Sequence, residues 1–307
     1  MELRQIQYLI ALFEEGSVTR AARRLNIVQP AISQQLSKLE YELGQALFHR
    51  TPKGMVPTQA GCDAYRMLRP VLQGLENARQ ELSAPKGAVK GHLSIGVVSS
   101  ITNNTLSETL LRFNAAHPEV TIRATGGYTS DLLDLLKSAQ LDIAIVNSPP
   151  KGGPFDQQTI LEEDFALICA ADQARKFDGP VNLVKAPIEP LVLPSIRHGL
   201  RGVMESLFSA HGVELRSRID IDELSVIEDF ISRSEYTTIL PPTAVNKGLL
   251  NGSLVCIDIK PHIARRIVAA TSHSRPINTP ARLFIKMLQQ TTSEILEKLQ
   301  LIGPAKI

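Results

Sequence analysis

The apolar residues of this chain change period once, near residue 91, and that change limits what it can fold into. Before it they recur at three- and four-residue steps, the spacing of one face of a helix. After it, short β-branched and aliphatic runs alternate with amphipathic stretches, which is the pattern of an α/β body with mixed sheets. A length of 307 residues exceeds one ordinary core and suits two or three domains.

In the first segment Leu3, Ile6, Leu9, Ile10 and Phe13 mark a helix. Gly16 and Ser17 end it and cap a short second helix over about Val18–Leu25, where Ala21 and Ala22 permit close helix approach. Asn26 and Ile27 make a turn. Pro30 suits the first turn of a third helix, since the N–H it lacks has no helical partner there. Ile32, Leu36, Leu39 and Leu43 share one face of that helix. Two helices on a tight turn, the second polar on its other side, form a helix-turn-helix. Leu47–Thr58 then reads as a hairpin with basic residues about its turn, a wing.

Thr58 caps a long helix over about Gln59–Leu82. Its Tyr65, Leu68, Leu72, Leu75 and Leu82 form a seam suited to a second helix. Packing on its own domain is the alternative. The linker Ser83-Ala84-Pro85-Lys86-Gly87 favours dimerisation, because no compact partner follows. Charge follows the same division: residues 1–90 hold twelve Lys/Arg against eight Asp/Glu, the remainder twenty-one against twenty-three. A basic front on a slightly acidic body fits a nucleic-acid module.

Ser33, Gln34, Ser37, Lys38 and Tyr41 occupy the polar side of the third helix, with Gln29, Pro30 and Ala31 at its start. Gln34 can pair bidentately with adenine, and Pro30 and Ala31 can meet a thymine methyl. Arg50 and Lys53 on the wing, with Arg20 ahead, suit phosphates or the minor groove.

Strands are expected near 92–98, 120–125, 141–146, 165–170, 191–193, 219–221, 237–240, 254–259 and 267–271. Helices are expected near 106–116, 131–138, 200–211, 226–232 and 280–299. Ligands of such folds collect where strand ends meet helix N-termini. Ser99, Ser100 and Thr102 follow the first strand, and Tyr128 and Thr129 open a helix. Across from them Arg197, His198 and Arg201 open another. Helix N-termini and a guanidinium both favour a small organic anion. Ordinary N-capping by the hydroxyls, and an Arg201–Glu205 pair, are the alternatives.

Cys62, Cys169 and Cys256 show neither disulfide nor metal spacing, and fit a reducing compartment. No metal and no cofactor is expected. The opening MELRQIQYLIALFEE lacks the form of a secretory leader, and no apolar run reaches the roughly 18–20 residues of a membrane span. The expected location is cytoplasmic, with no membrane partner.

Four stretches together resemble LysR-type transcriptional regulators: Gly16–Leu25, Gln29–Glu40, Leu47–Arg50 and Pro57–Gly61. Gly91–Gly96, Leu141–Ile145 and Ile239–Pro241 extend the resemblance over the whole chain. It implies a winged helix-turn-helix at 1–58, a dimerisation helix and hinge at 59–90, and a periplasmic-binding-protein-like, two-lobed effector domain at 91–307. Lobe one would take 91–164 and 266–301, and lobe two 165–265, joined by two crossover strands. By family position Ser99, Ser100, Thr102, Thr129 and Asn147 would face the effector. The resemblance also implies a homo-oligomer, dimer or tetramer, on an inverted repeat in double-stranded DNA, with RNA polymerase as a further partner. The chain departs from the family pattern in two places: Gln34 stands where many relatives have Arg, and Ser234-Glu235-Tyr236 stands where the family often has a glycine-containing turn. An enzyme is disfavoured by the absence of G-x-S-x-G, phosphate-loop and HExxH motifs. A solute-transport protein would leave the first ninety residues unexplained.

Overall fold

The computed structural model describes residues 1–52, 54–83, 89–101, 105–150, 152–185, 188 and 190–302, without the side chains of 77, 80–83 and 300–302. Lys53, Thr102, Leu82 and the linker after Ser83, all named above, lie outside that description in whole or in side chain. The described chain forms two compact units, one ending with the long helix and one beginning with the first strand that follows it.

The first unit runs α1 (Leu3–Glu15), α2 (Val18–Arg24), α3 (Gln29–Leu43), β1 (Phe48–Thr51), β2 (Gly54–Pro57) and α4 (Gln59–Ser83). Its core gathers Leu9, Leu12, Ala21, Ile32, Leu39 and Leu47, all at most 1% exposed. Leu43 departs from the expected face of α3, for it is 43% exposed in the last turn before Gly44 ends the helix. Asn26 takes φ +53°, a left-handed turn that its short polar side chain tolerates. Glu40 fixes the wing, its Oε1 accepting from the backbone N–H of Leu47 at 2.7 Å and of Phe48 at 3.3 Å. At the wing tip Gly54 has φ +124°, and a Cβ there would lie 2.5 Å from the Gly16 carbonyl oxygen.

The long seam of α4 divides between two faces. Tyr65 and Leu72 are buried and Leu68 half-buried, all packed on the core of their own unit. Tyr65 stacks on Phe13 with centroids 4.0 Å apart. Its hydroxyl donates to Glu14 at 3.0 Å, and burial followed by the Glu14 charge pushes its pKa up. Arg69 and Arg24 bind the same carboxylate at 3.3 and 2.6 Å, tying α1, α2 and α4 together. Met67, Val71 and Leu75 point away from that core, 71%, 60% and 49% exposed in the monomer.

The second unit begins β3 (Gly91–Val97), α5 (Ser107–Ala116), β4 (Val120–Gly126), α6 (Thr129–Lys137), β5 (Ile143–Asn147), β6 (Phe155–Asp164). It continues β7 (Ala166–Ala170), β8 (Val181–Asn182), β9 (Val192–Leu193), α7 (Gly199–Ser209), β10 (Ile219–Asp220), α8 (Leu224–Ser232), β11 (Thr238–Leu240), α9 (Asn246–Leu250), β12 (Leu254–Ile257), β13 (Ile259–Lys260), β14 (Ala264–Ser272) and α10 (Thr279–Ile302). A five-stranded sheet has the order β4-β3-β5-β14-β6, with β3, β4 and β5 parallel and β14 antiparallel to both its neighbours. One core surrounds this sheet, with Phe113 against Phe284 of α10. A second core surrounds the antiparallel sheet β11-β7-β12, with Phe165 against Phe208 of α7.

Only β6 and β14 carry the chain between these two cores among the described strands, paired from Phe155↔Ser272 to Asp164↔Ala264. The ten-residue β6 was absent from the sequence-based expectation. Its run Phe155–Asp164 is mostly polar, and only Phe155, Ile160, Leu161 and Glu163 are buried.

Candidate functional site: a DNA-reading helix and an interlobe cleft

The first turns of α3 hold the expected base-reading residues. Gln29, Pro30, Ser33, Gln34, Ser37 and Lys38 are exposed, and Ala31 is half-buried. They lie opposite Ile32, Leu36 and Leu39, so the core fixes which side of the helix faces outward. Gln29, though exposed, is tied to the neighbouring helix, its Nε2 donating to Thr19 Oγ1 on α2 at 2.9 Å. Arg20 folds back on the end of α1, 3.6 Å from the Glu15 carboxylate and donating to the Glu15 carbonyl. Arg50 is exposed on β1.

In the second unit, Ser99, Ser100, Tyr128, Thr129, Asn147 and His198 converge on one cavity between the lobes. Both α6 and α7 start at its wall, so two helix N-termini approach from opposite sides. The space between these residues is small, about 10 Å³, the room of roughly one water. His198 is 6% exposed and bridges the lobes: its Nδ1 accepts from the Leu200 N–H at 3.2 Å and its Nε2 lies 2.9 Å from Ser99 Oγ. An accepting Nδ1 places the proton on Nε2, which then donates to Ser99. Burial lowers the His198 pKa, against the opposing charges of Asp222 and Glu223, so the imidazole is held neutral. Asn147, 7% exposed, has its Oδ1 buried in the cavity wall without a hydrogen-bond partner.

The two arginines expected beside an anion stand elsewhere. Arg201 is 7% exposed, but its guanidinium binds Glu205 at 2.8 Å, the Pro194 carbonyl at 3.0 Å and the Leu215 carbonyl at 3.3 Å within lobe two. The Glu205 alternative is therefore the one observed. Arg197 is exposed, and neither arginine lines the cavity. Ser234–Tyr236 also lies apart from it: the Tyr236 backbone N–H donates to Ser234 Oγ, and the Tyr236 ring packs on Phe230.

Beneath the cleft lies a buried cluster that sequence reasoning missed. Arg265 on β14 binds Glu163 on β6 through Nε at 3.0 Å and Nη2 at 2.8 Å, with side chains 1% and 4% exposed. Nη1 of Arg265 donates to Ser100 Oγ at 2.6 Å, and Thr243 Oγ1 donates to Glu163 at 2.7 Å. One ion pair on the crossover strands therefore reaches the cavity wall of lobe one and a short helical turn of lobe two. Cys169 and Cys256 sit on neighbouring strands, but burial, then nearby acids, push their pKa values to about 11 and about 12. Such thiols are inert at neutral pH.

Among the described residues no helix is long and apolar enough to cross a membrane. The family model for the "LysR substrate binding domain" matches residues 86–293, and that for the "Bacterial regulatory helix-turn-helix protein, lysR family" matches residues 3–62. The nitrogen assimilation regulatory protein nac of Escherichia coli is 29% identical over 302 residues, covering 96% of this chain and 94% of its own. A RuBisCO operon transcriptional regulator of Allochromatium vinosum is 25% identical over 266 residues, 87% and 88% of the two chains. Among solved structures, a full-length OxyR variant from Pseudomonas aeruginosa matches with TM-score 0.75 at 21% identity over 95% and 94% of the chains. Full-length CbnR complexed with its target DNA matches at 0.54 and 23% identity over 95% and 99%. Two domain models that together span nearly all the described chain place it: this protein belongs to the LysR family of DNA-binding transcriptional regulators, with a helix-turn-helix in its first unit and an effector-binding domain in its second.

Proposed function

We propose that this protein works in the cytoplasm as a homo-oligomer, a dimer or tetramer, on an imperfect inverted repeat at a promoter, where it acts on RNA polymerase. The observation that carries the proposal is the polar side of α3: Ser33, Gln34, Ser37 and Lys38 are exposed, opposite the residues that α3 buries in the core. An oligomer with two such helices reads two half-sites. The exposed Met67–Val71–Leu75 stripe of α4 supplies an apolar face for pairing. In the proposed division, 1–58 binds DNA, 59–90 dimerises, and 91–307 binds the effector, with lobe one 91–164 and 266–301 and lobe two 165–265.

The effector in this reading is a small organic anion in the cleft. Its support is two facing helix N-termini and the unpaired Asn147 oxygen, which asks the same ligand for an N–H or O–H donor. Without a guanidinium in the wall, backbone N–H groups and hydroxyls hold the charge. The test is fluorescence anisotropy on duplexes selected from a random-sequence library. Gln34→Ala is expected to cost about 1–3 kcal/mol and to relax preference at one base position per half-site. Unchanged preference at every position would remove α3 from the role of base reader.

A further inference from the structure

We propose that Val28 reads a base, its isopropyl group meeting a thymine 5-methyl in the major groove. The proposal rests on α3 being the recognition helix and adds a residue to its reading surface.

Val28 is the N-cap of α3, with φ −86° and ψ 143°, and no side chain caps the helix there. This position ordinarily favours Ser, Thr, Asp or Asn, whose oxygen accepts a free N–H of the first turn, and β-branched apolar residues are among the least favoured. Two other helices do have side-chain caps, Thr58 Oγ1 accepting from Gly61 at the start of α4 and His198 Nδ1 from Leu200 at the start of α7, whereas α2, α5, α8 and α9 like α3 have none. Val28 makes no compensating core contribution. It is 69% exposed and stands outside the apolar core of its unit. A single exposed valine is ordinary on a protein surface. This one occupies a place where a hydroxyl would serve the fold better, so its advantage is sought outside the fold.

Its surroundings indicate where. A recognition helix reads bases from its N-terminal turns. There, Val28 and Pro30 are exposed beside Gln29, whose amide nitrogen is engaged by Thr19 at 2.9 Å, so the two residues add apolar area to the outward surface at that end. In the major groove the apolar feature of a base edge is the thymine 5-methyl, and contact with it distinguishes thymine from the other bases.

Duplexes are selected from a random-sequence library with the full-length protein, and each thymine of the best duplex is then replaced singly by uracil, which removes only the methyl. The parent is expected to lose about three- to tenfold in affinity at one thymine per half-site. Val28→Ser and Val28→Asn, which carry no methyl group, are expected to weaken the thymine duplex by a similar factor and to be indifferent to uracil at that position. Val28→Ser is also expected to melt no lower than the parent, since it supplies a cap, so lost folding does not explain the result. The proposal is overturned if the Val28 variants keep the parent's uracil profile, or if their loss is equal on every duplex, which would mean contact with the DNA backbone. Gln34→Ala separates the two failures. If it alters base preference while the Val28 variants do not, only Val28 is misassigned. If neither alters it, the reading of α3 fails too.

Discussion

Gly54 stands where no side chain fits. Its φ of +124° is strained for any L residue, and a Cβ would press on the Gly16 carbonyl that also accepts the Met55 N–H at 2.9 Å. Gly54→Ala is therefore expected to lower the stability of the first unit by more than about 1 kcal/mol and to loosen the wing from the turn between α1 and α2. A fall in melting temperature, with weaker binding to all duplexes alike, checks this. At the cleft, His198 has a lowered pKa and an unfolded value near 6.5, so the unfolded chain binds more protons between the two. The neutral imidazole's contribution is complete above about pH 6.5 and declines as pH falls toward the lowered value. Urea midpoints at pH 7.5 and 5.5 are expected to fall more for the parent than for His198→Asn, which keeps an acceptor for the Leu200 N–H. Equal falls would contradict it. Residue types and local spacing brought Ser99, Tyr128, Thr129 and His198 to notice, because hydroxyls and helix starts are visible in sequence. The direction of Arg201 was not, since its carbonyl partners at Pro194 and Leu215 depend on how the chain folds around α7.

Among the elements, α4 shows how one apolar pattern can serve two neighbours. A step of three or four keeps Tyr65, Leu68 and Leu72 on the core, while Met67, Val71 and Leu75 follow one another along the other side. Val71→Glu with Leu75→Glu is expected to shift the oligomer to smaller species while leaving the melting of the monomeric unit nearly unchanged. Leu68→Glu is expected to do the reverse, costing about 2 kcal/mol or more by placing a charge against a packed core. Light scattering and thermal melting on the same samples separate the two outcomes. The helices were legible in sequence because each repeats its apolar spacing over several turns. The crossover strand β6 was not, because Gln157 and Gln158 interrupt its alternation and its buried Glu163 counts as a surface residue until Arg265 is beside it.

On the scale of the whole molecule, the second unit depends on groups far apart in sequence. Glu163 and Arg265 are 102 positions apart, beyond any local pattern. Glu163→Gln would leave the buried guanidinium without its counter-charge, at an expected cost of about 3–5 kcal/mol. The second unit should then unfold at lower urea while the helix-turn-helix keeps its own transition, and hydrogen exchange should quicken first at β6 and β14. Loss confined to the first unit would contradict this. The division into a helical front and an α/β body was readable from the change of apolar period. Which strands cross between lobes was not, since a polar edge strand carries little apolar signal.

The pairing of β6 with β14 has a consequence for how such a molecule is assembled and altered. The chain leaves lobe one at Asp164 and re-enters it at Ala264, two residues that face each other across one ladder, and the Phe165 N–H donates to the Ile263 carbonyl at 2.8 Å. Entry and exit are therefore adjacent. Lobe two is topologically an insert, a cassette of about one hundred residues spliced into a hairpin whose two arms belong to the other lobe's sheet. Every strand of that sheet would keep its neighbours if a tight turn replaced the cassette or a relative's cassette were grafted in. The two walls of the cleft are thus separable parts of one chain, and one wall could be transplanted without redrawing the other.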